Sequence, residues 1–328
     1  MKRRKPRTTS EQPQTRENIL IFDIIRLLCI VIIVYDHSRF VDIPWFNQLF
    51  FAAGYGPFNI YSSGLQGYAV YGMILISGVV LEYNYQGLEK LHRYLQFLFR
   101  RFIRLYPAFW MSLILGLIAF PKVWQNSIPS LLFEFTGFFV VLGKGPGNIN
   151  IMGWFIATIV SLYVFFPWFS KIIRRYGLGA LVGFWLLSWG LRYLILTYNL
   201  VPINLFWRWF PLCNAFEFCL GIYIVQNGLY PKTTNTSPII KELSDLSYYV
   251  FIFHTLVNFY ILDNLYPAPL GYVDLTLALN NPVVADIFVY LQTNFAIIVV
   301  SWTVMKMDTR LRSWVMQRHR IRNFLSAQ

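Results

Sequence analysis

Charge is scarce in this chain of 328 residues. Asp and Glu together number 15, and all charged residues make up 13%. A soluble chain of this length needs more polar surface than that. Cysteine is almost absent too. Cys29, Cys213 and Cys219 lie inside apolar segments, with neither the spacing of a disulfide framework nor that of a zinc site, and they read as packed thiols. No internal repeat, heptad or low-complexity tract is found. No small-residue cleavage site follows the first apolar run, so that run is expected to stay as a helix rather than be removed as a leader. A basic domain is also lacking. The net charge of +13 sits in short blocks between apolar segments, which argues against a nucleic-acid partner.

What remains is apolar: 56% of residues are hydrophobic and 19% aromatic, with a mean hydropathy of +0.49. The expected fold is an all-α polytopic membrane protein. Long apolar segments fall at about 19–38, 64–83, 104–121, 151–170, 178–197, 208–227, 245–263 and 284–305, each near the roughly 20 residues that a membrane helix needs. Two shorter segments, about 44–60 and 129–143, are candidates for interfacial, re-entrant or short spans. The sequence divides into a disordered basic arm (1–18), one membrane domain (19–305) and a basic tail (306–328). Lys and Arg collect in cytoplasmic loops. Counting the eight long spans with the N-terminus inside puts 22 of the 28 basic residues on the inner side, which leaves both termini cytoplasmic. The expected location is the cytoplasmic membrane, in contact with its lipids; the oligomeric state is not legible.

Ionisable groups inside such segments are expensive, at least about 2.5 kcal/mol each at mid-helix, and face a polar cavity or a partner. The first span, "FDIIRLLCIVIIVYDHSRF", carries Asp23 and Arg26 near one end and Asp36 and His37 near the other. Arg26 and His37 are eleven residues apart, which places them on one helix face about 16 Å apart along the axis. Asp23 lies one turn before Arg26 and can pair with it, whereas Asp36 points elsewhere on the helix. Two readings follow from spacing alone: a structural Asp23–Arg26 pair with His37 at the headgroups, or two functional groups at two depths of one cavity. A second cluster, "FRRFIRLYPAFW", sets Arg100, Arg101 and Arg104 before Pro107. It reads either as a positive-inside anchor or as a guanidinium site for phosphates.

Four segments in order resemble the membrane acyltransferase-3 family. Asp23-x-x-Arg26 with His37 resembles its first-helix motif, and "MILISGVVL" (73–81) its Ile-Ser-Gly segment. "RRFIRLYP" (100–107) is similar to its Arg-x-x-Arg-hydrophobic-Tyr-Pro segment, and "LSDLSYYVFIFHTLV" (243–257) to its late Ser/Tyr/His segment. The family typically has about ten membrane helices. The resemblance implies transfer of an acyl group, commonly acetyl, from cytoplasmic acetyl-CoA or another acyl-CoA to a carbohydrate or glycolipid acceptor at the outer face, without a metal. Carried over, His37 would be the catalytic base or a transient acyl carrier, and Arg26, Arg101 and Arg104 would engage the donor. An imidazole titrating near pH 6.5 suits proton transfer from a sugar hydroxyl.

One departure from the family pattern stands out. "GWFIATIVSLYVFFP" keeps Trp154, Tyr163 and Pro167 but has Ile159 and Val160 where many members carry a glutamate. Any catalytic acid then comes from elsewhere, and Asp36, Glu134 and Glu217 are the candidates. Glu217 has a second reading, as the buried partner of Arg192. Further cavity candidates are Asp23, Trp154, Tyr163 and His254. The function expected from the resemblance is a membrane O-acyltransferase acting on a surface carbohydrate; the rivals are a polysaccharide exporter or flippase and a non-catalytic membrane scaffold.

Overall fold

The computed structural model describes residues 19–38, 65–85, 88, 90–139, 148–198, 209–231, 237–265, 282–318 and 321. The 1–18 arm and the 44–60 segment lie outside the described residues. Among the described residues there are nine α-helices: α1 (Leu20–Ser38), α2 (Leu65–Asn84), α3 (Leu91–Ala119), α4 (Ile128–Glu134), α5 (Gly153–Tyr176), α6 (Leu178–Tyr198), α7 (Ala215–Gln226), α8 (Pro238–Leu265) and α9 (Pro282–Gln317). No strand occurs among the described residues. Each of the eight long apolar segments contains a helix. Among the described residues, five are long and apolar enough to cross a membrane: α3, α5, α6, α8 and most of α9. α1 carries its three charged residues instead, and α7 is only 12 residues long behind a short 3-10 turn at Pro211–Asn214. The segment at 129–143 includes most of α4, about two turns of helix, followed by Gly137 at φ 75°.

Two helices outrun their hydropathy. α3 starts at Leu91, well before the apolar run, and α9 continues through Gln317, so the basic stretch after 305 is helical in its first part. Pro and Gly are absent from 283 to 317, so nothing in the chain stops the helix at the point where charge begins. α5 does stop, at Gly177, whose φ of 55° suits a residue without a Cβ and which caps Ile173 from its own N–H at 2.8 Å.

The order of contacts gives helix directions. Asp23 meets Ser244 near the start of α1 and α8, and the His37 carbonyl meets Asn258 the same number of residues later on both, so the two helices run parallel. α3 runs with them, since Arg104 meets Asp245 and the Leu105 carbonyl accepts from Tyr248 at 2.7 Å. α2 runs the other way: Gln66 at its start reaches His37, while Val79 to Asn84 near its end stand beside Asp23 and Arg26. α9 is antiparallel as well, with Tyr290 against Tyr35 and Lys306 against Glu242. Side chains from neighbouring helices bond carbonyls close to the prolines inside α3 and α5. Tyr248 donates to a carbonyl just before Pro107, and Tyr94 donates to Val164, just before Pro167, at 2.9 Å.

The buried core joins α1, α2, α3, α5, α7 and α8, while α6 and α9 present many large apolar side chains outward, as lipid-facing helices do. The bundle therefore has two ends. At one end lie the starts of α1 and α8 and the end of α2; at the other lie His37, Gln66 and Asn258.

Candidate active site

At the first end, Arg26, Arg101 and Arg104 line one cavity of about 230 Å³ together with Asp23, Lys241, Asp245 and the α2 residues Val79, Val80, Tyr83 and Asn84. Four cations face two carboxylates there, an excess that favours an anion. Each arginine is positioned by a neighbour. Arg26 donates to Asp23 at 3.2 Å and to Ser244 at 2.6 Å, and the Ser244 hydroxyl donates in turn to the same Asp23 oxygen at 2.7 Å. The expected Asp23–Arg26 pair is thus present, with a third member from α8. Arg101 is 6% exposed, with its guanidinium over the rings of Tyr85 (4.7 Å), Tyr163 (5.6 Å) and Phe97 (5.7 Å). Arg104 meets Asp245 at 3.3 Å across a partly exposed pair. A wider neighbouring cleft of about 590 Å³ shares Arg104, Lys241 and Asp245 and adds Lys306 and Arg312 from α9.

At the other end the histidines meet. His254 Nε2 lies 3.2 Å from His37 Nδ1, and the two rings stand edge to face with centroids 4.9 Å apart. His37 Nδ1 is also 2.9 Å from the Ile33 carbonyl, and His254 Nδ1 is 2.8 Å from the Phe251 carbonyl. A carbonyl oxygen only accepts, so both Nδ1 atoms carry hydrogen. His37 Nε2 is then the basic nitrogen, and it accepts from the Gln66 amide at 3.2 Å. Asn258 fixes the helix end by donating to the His37 carbonyl at 2.8 Å. α8 thus grips α1 at both ends, through Ser244 at the arginines and through His254 and Asn258 at the histidine.

The remaining candidates are placed as follows. Asp36 is half-buried beside His37 on α1. Glu134 is tied down as a loop anchor: its two oxygens accept from the Asn148 N–H and side-chain amide, both at 2.7 Å, and from the Ile149 N–H at 3.0 Å. Glu217 sits on Arg192 at 2.9 Å inside the bundle, between α6 and α7. Arg192 is fully buried, lies over Tyr71 at 4.7 Å and also donates to the Cys213 carbonyl. Trp154 stacks on Trp209 at 6.3 Å, on the face of α5 opposite Tyr163.

A buried pair of this kind is far more sensitive to losing one member than both. Arg192→Met should destabilise the protein by about 3–5 kcal/mol, whereas Arg192→Met combined with Glu217→Leu should recover most of that loss. Thermal unfolding in detergent, read side by side for the two variants, measures this. A double variant as unstable as the single one would contradict the assignment.

The acyltransferase-3 family model, whose description is an acyltransferase domain, matches residues 19–239, about two thirds of the chain. The chain belongs to the acyltransferase-3 family. It is a membrane acyltransferase, multi-pass by its several long apolar helices. No curated protein and no solved structure matches it. The family match ends in the first turn of α8. Ser244, Lys241, Asp245, His254 and Asn258 therefore come from outside the matched segment, although they stand at both ends of α1. Of these, Ser244, Asp245 and His254 fall in a segment whose pattern the sequence displays. Gln66, Tyr85, Lys241 and Asn258 carry no such signal: a lone polar residue near the end of an apolar helix reads as an interface residue.

Proposed function

We propose that this acyltransferase moves an acyl group, acetyl in the simplest case, from cytoplasmic acyl-CoA to a hydroxyl of a cell-surface or lipid-linked carbohydrate. The reading treats residues 19–305 as one catalytic membrane domain in the cytoplasmic membrane, with both termini inside. Its main support is the arrangement on α1: an arginine-lined cavity at one end and, about 16 Å further along the same face, a histidine whose Nε2 is its basic nitrogen. The arginine end is also where basic residues concentrate, as expected of a cytoplasmic face.

In this reading Arg26, Arg101 and Arg104 hold the phosphates of the donor, for which guanidinium forks are suited. The pantetheine arm runs along α1 towards His37. Ile30 and Ile33, which lie between the two ends, are buried in the core, so passage of the arm requires the helices around them to part. His37 Nε2 takes the proton of the acceptor hydroxyl as its oxygen attacks the thioester carbon. The C–O ester bond forms, the C–S bond breaks, and the proton passes from the imidazolium to the leaving thiolate to give free CoA. Asp36 stands next to His37 as the nearest acid on the chain, while Glu217 and Glu134 serve the scaffold.

Two experiments test the reading. Cells lacking the protein should export their surface glycan normally but without its acyl group. Glycan retained inside the cell, with acylation of the retained material intact, would favour an exporter. For the donor site, Arg104→Met should raise the KM for acetyl-CoA about tenfold or more, the loss of one charge-assisted contact, with a smaller change in kcat. Adding Arg101→Met should raise it further. An unchanged KM in both variants would remove these arginines from the donor site.

A further inference from the structure

We infer that His254 is a positioning residue that fixes the tautomer of His37. This rests on the acyl-transfer reading above and adds to it a residue from beyond the family match. The geometry that carries it is the chain of contacts at the second end of the bundle. The Phe251 carbonyl takes the His254 Nδ1–H at 2.8 Å, with the Val250 carbonyl at 3.2 Å, which leaves His254 Nε2 as an acceptor. That acceptor lies 3.2 Å from His37 Nδ1, so the His37 Nδ1–H is shared between His254 and the Ile33 carbonyl. Two acceptors on one side of the ring hold the hydrogen on Nδ1 and keep the lone pair on Nε2. When His37 gains a proton, the same two acceptors face the imidazolium N–H.

The arrangement performs the task that a carboxylate performs behind the histidine of a hydrolytic triad, with an uncharged acceptor in place of the anion. Burial explains the choice. His254 is 1% exposed and its neighbours Phe251 and Phe253 are fully covered, so a carboxylate there would be desolvated among apolar rings at high cost. A neutral imidazole pinned by two backbone carbonyls orients the ring without that penalty.

The test compares two near-isosteric replacements that differ in hydrogen-bonding capacity. His254→Met removes the acceptor; His254→Gln keeps one in its amide oxygen. Membranes carrying each variant are assayed with labelled acetyl-CoA and a glycolipid extract from the same cells, beside wild type and His37→Ala. We expect His254→Met to lower kcat at least about tenfold, as loss of an orienting partner does, with the KM for acetyl-CoA unchanged, and His254→Gln to restore most of the rate. A His254→Met enzyme with wild-type kcat would overturn the inference while leaving the acyl-transfer reading intact. So would a His254→Gln protein that accumulates but is as slow as His37→Ala; that outcome also decides the matter should the methionine variant fail to accumulate. A wild type that transfers nothing would overturn both.

Discussion

Replacing His37 by alanine should abolish acyl transfer, lowering the rate at least about 10²-fold, while the protein still accumulates in the membrane. Both halves of that expectation come from the contacts at the end of α1. The side chain supplies the basic nitrogen, held by Gln66 on one side and by the Ile33 carbonyl and His254 on the other. Its removal takes away the proton acceptor, and the imidazole of His254, which is 1% exposed, lies behind the position of the His37 ring rather than in it. The anchoring of α1, however, does not depend on the ring. Asn258 bonds the backbone carbonyl of His37, which alanine retains, and the far end of the helix is pinned by Asp23, Arg26 and Ser244. Transfer of labelled acetyl, normalised to the protein detected by immunoblot, checks the prediction. Transfer at the wild-type rate would remove His37 from the chemistry; loss of the protein itself would show that the ring is needed for folding.

The second large effect concerns the crossing of α2 and α7. A Cβ on Gly221 would stand 2.2 Å from the Leu75 carbonyl oxygen and 2.8 Å from the Val79 nitrogen, and one on Gly78 would stand 2.1 Å from the Phe218 carbonyl oxygen. These are backbone atoms on both sides, so no side chain can rotate away, and the helices must separate. Close approach through small residues is a main source of helix association in membranes, where lipid is as apolar as leucine. Overpacking costs about 1–3 kcal/mol for an ordinary insertion and more where backbone must move. Gly221→Val should therefore abolish accumulation, and Gly221→Ala should lower the thermal midpoint in detergent. Gly183 on α6 is the control, since a Cβ there meets nothing within 4 Å and Gly183→Ala should accumulate normally. Because α2 carries Gln66 at one end and lines the arginine cavity at the other, any Gly221→Ala protein that survives should also lose transfer activity. Normal stability in both Gly221 variants would contradict the packing described.

The helices themselves were largely legible, because long apolar runs admit few other structures. The Asp23–Arg26 and Arg192–Glu217 pairs were legible too: an ionisable residue in such a run needs a partner, and few are on offer. Helix ends were less so. Hydropathy stops where charge begins, yet α3 begins among His92, Arg93 and Gln96 and α9 carries on past Lys306, because these residue types form helix readily outside lipid. The site was legible as two separate clusters on α1 but not as two assembled ends. What assembles them is the parallel packing of α8 on α1, a contact between elements more than two hundred residues apart that no local pattern encodes. For the same reason His254 read only as a cavity candidate. Its nitrogen acquires a role through the tautomer that the Phe251 carbonyl imposes, and that is a fact of geometry.

In the proposed reaction the arginine end receives acyl-CoA and the histidine end delivers the acyl group to carbohydrate. The most direct measurement uses purified protein in sealed vesicles of one orientation, with glycolipid extracted from the same cells and labelled acetyl-CoA supplied on one side only. Ester-linked label should appear on the glycolipid when acetyl-CoA is on the arginine side, and none when it is on the other side. Equal labelling from both sides, or label that never leaves CoA, would contradict it.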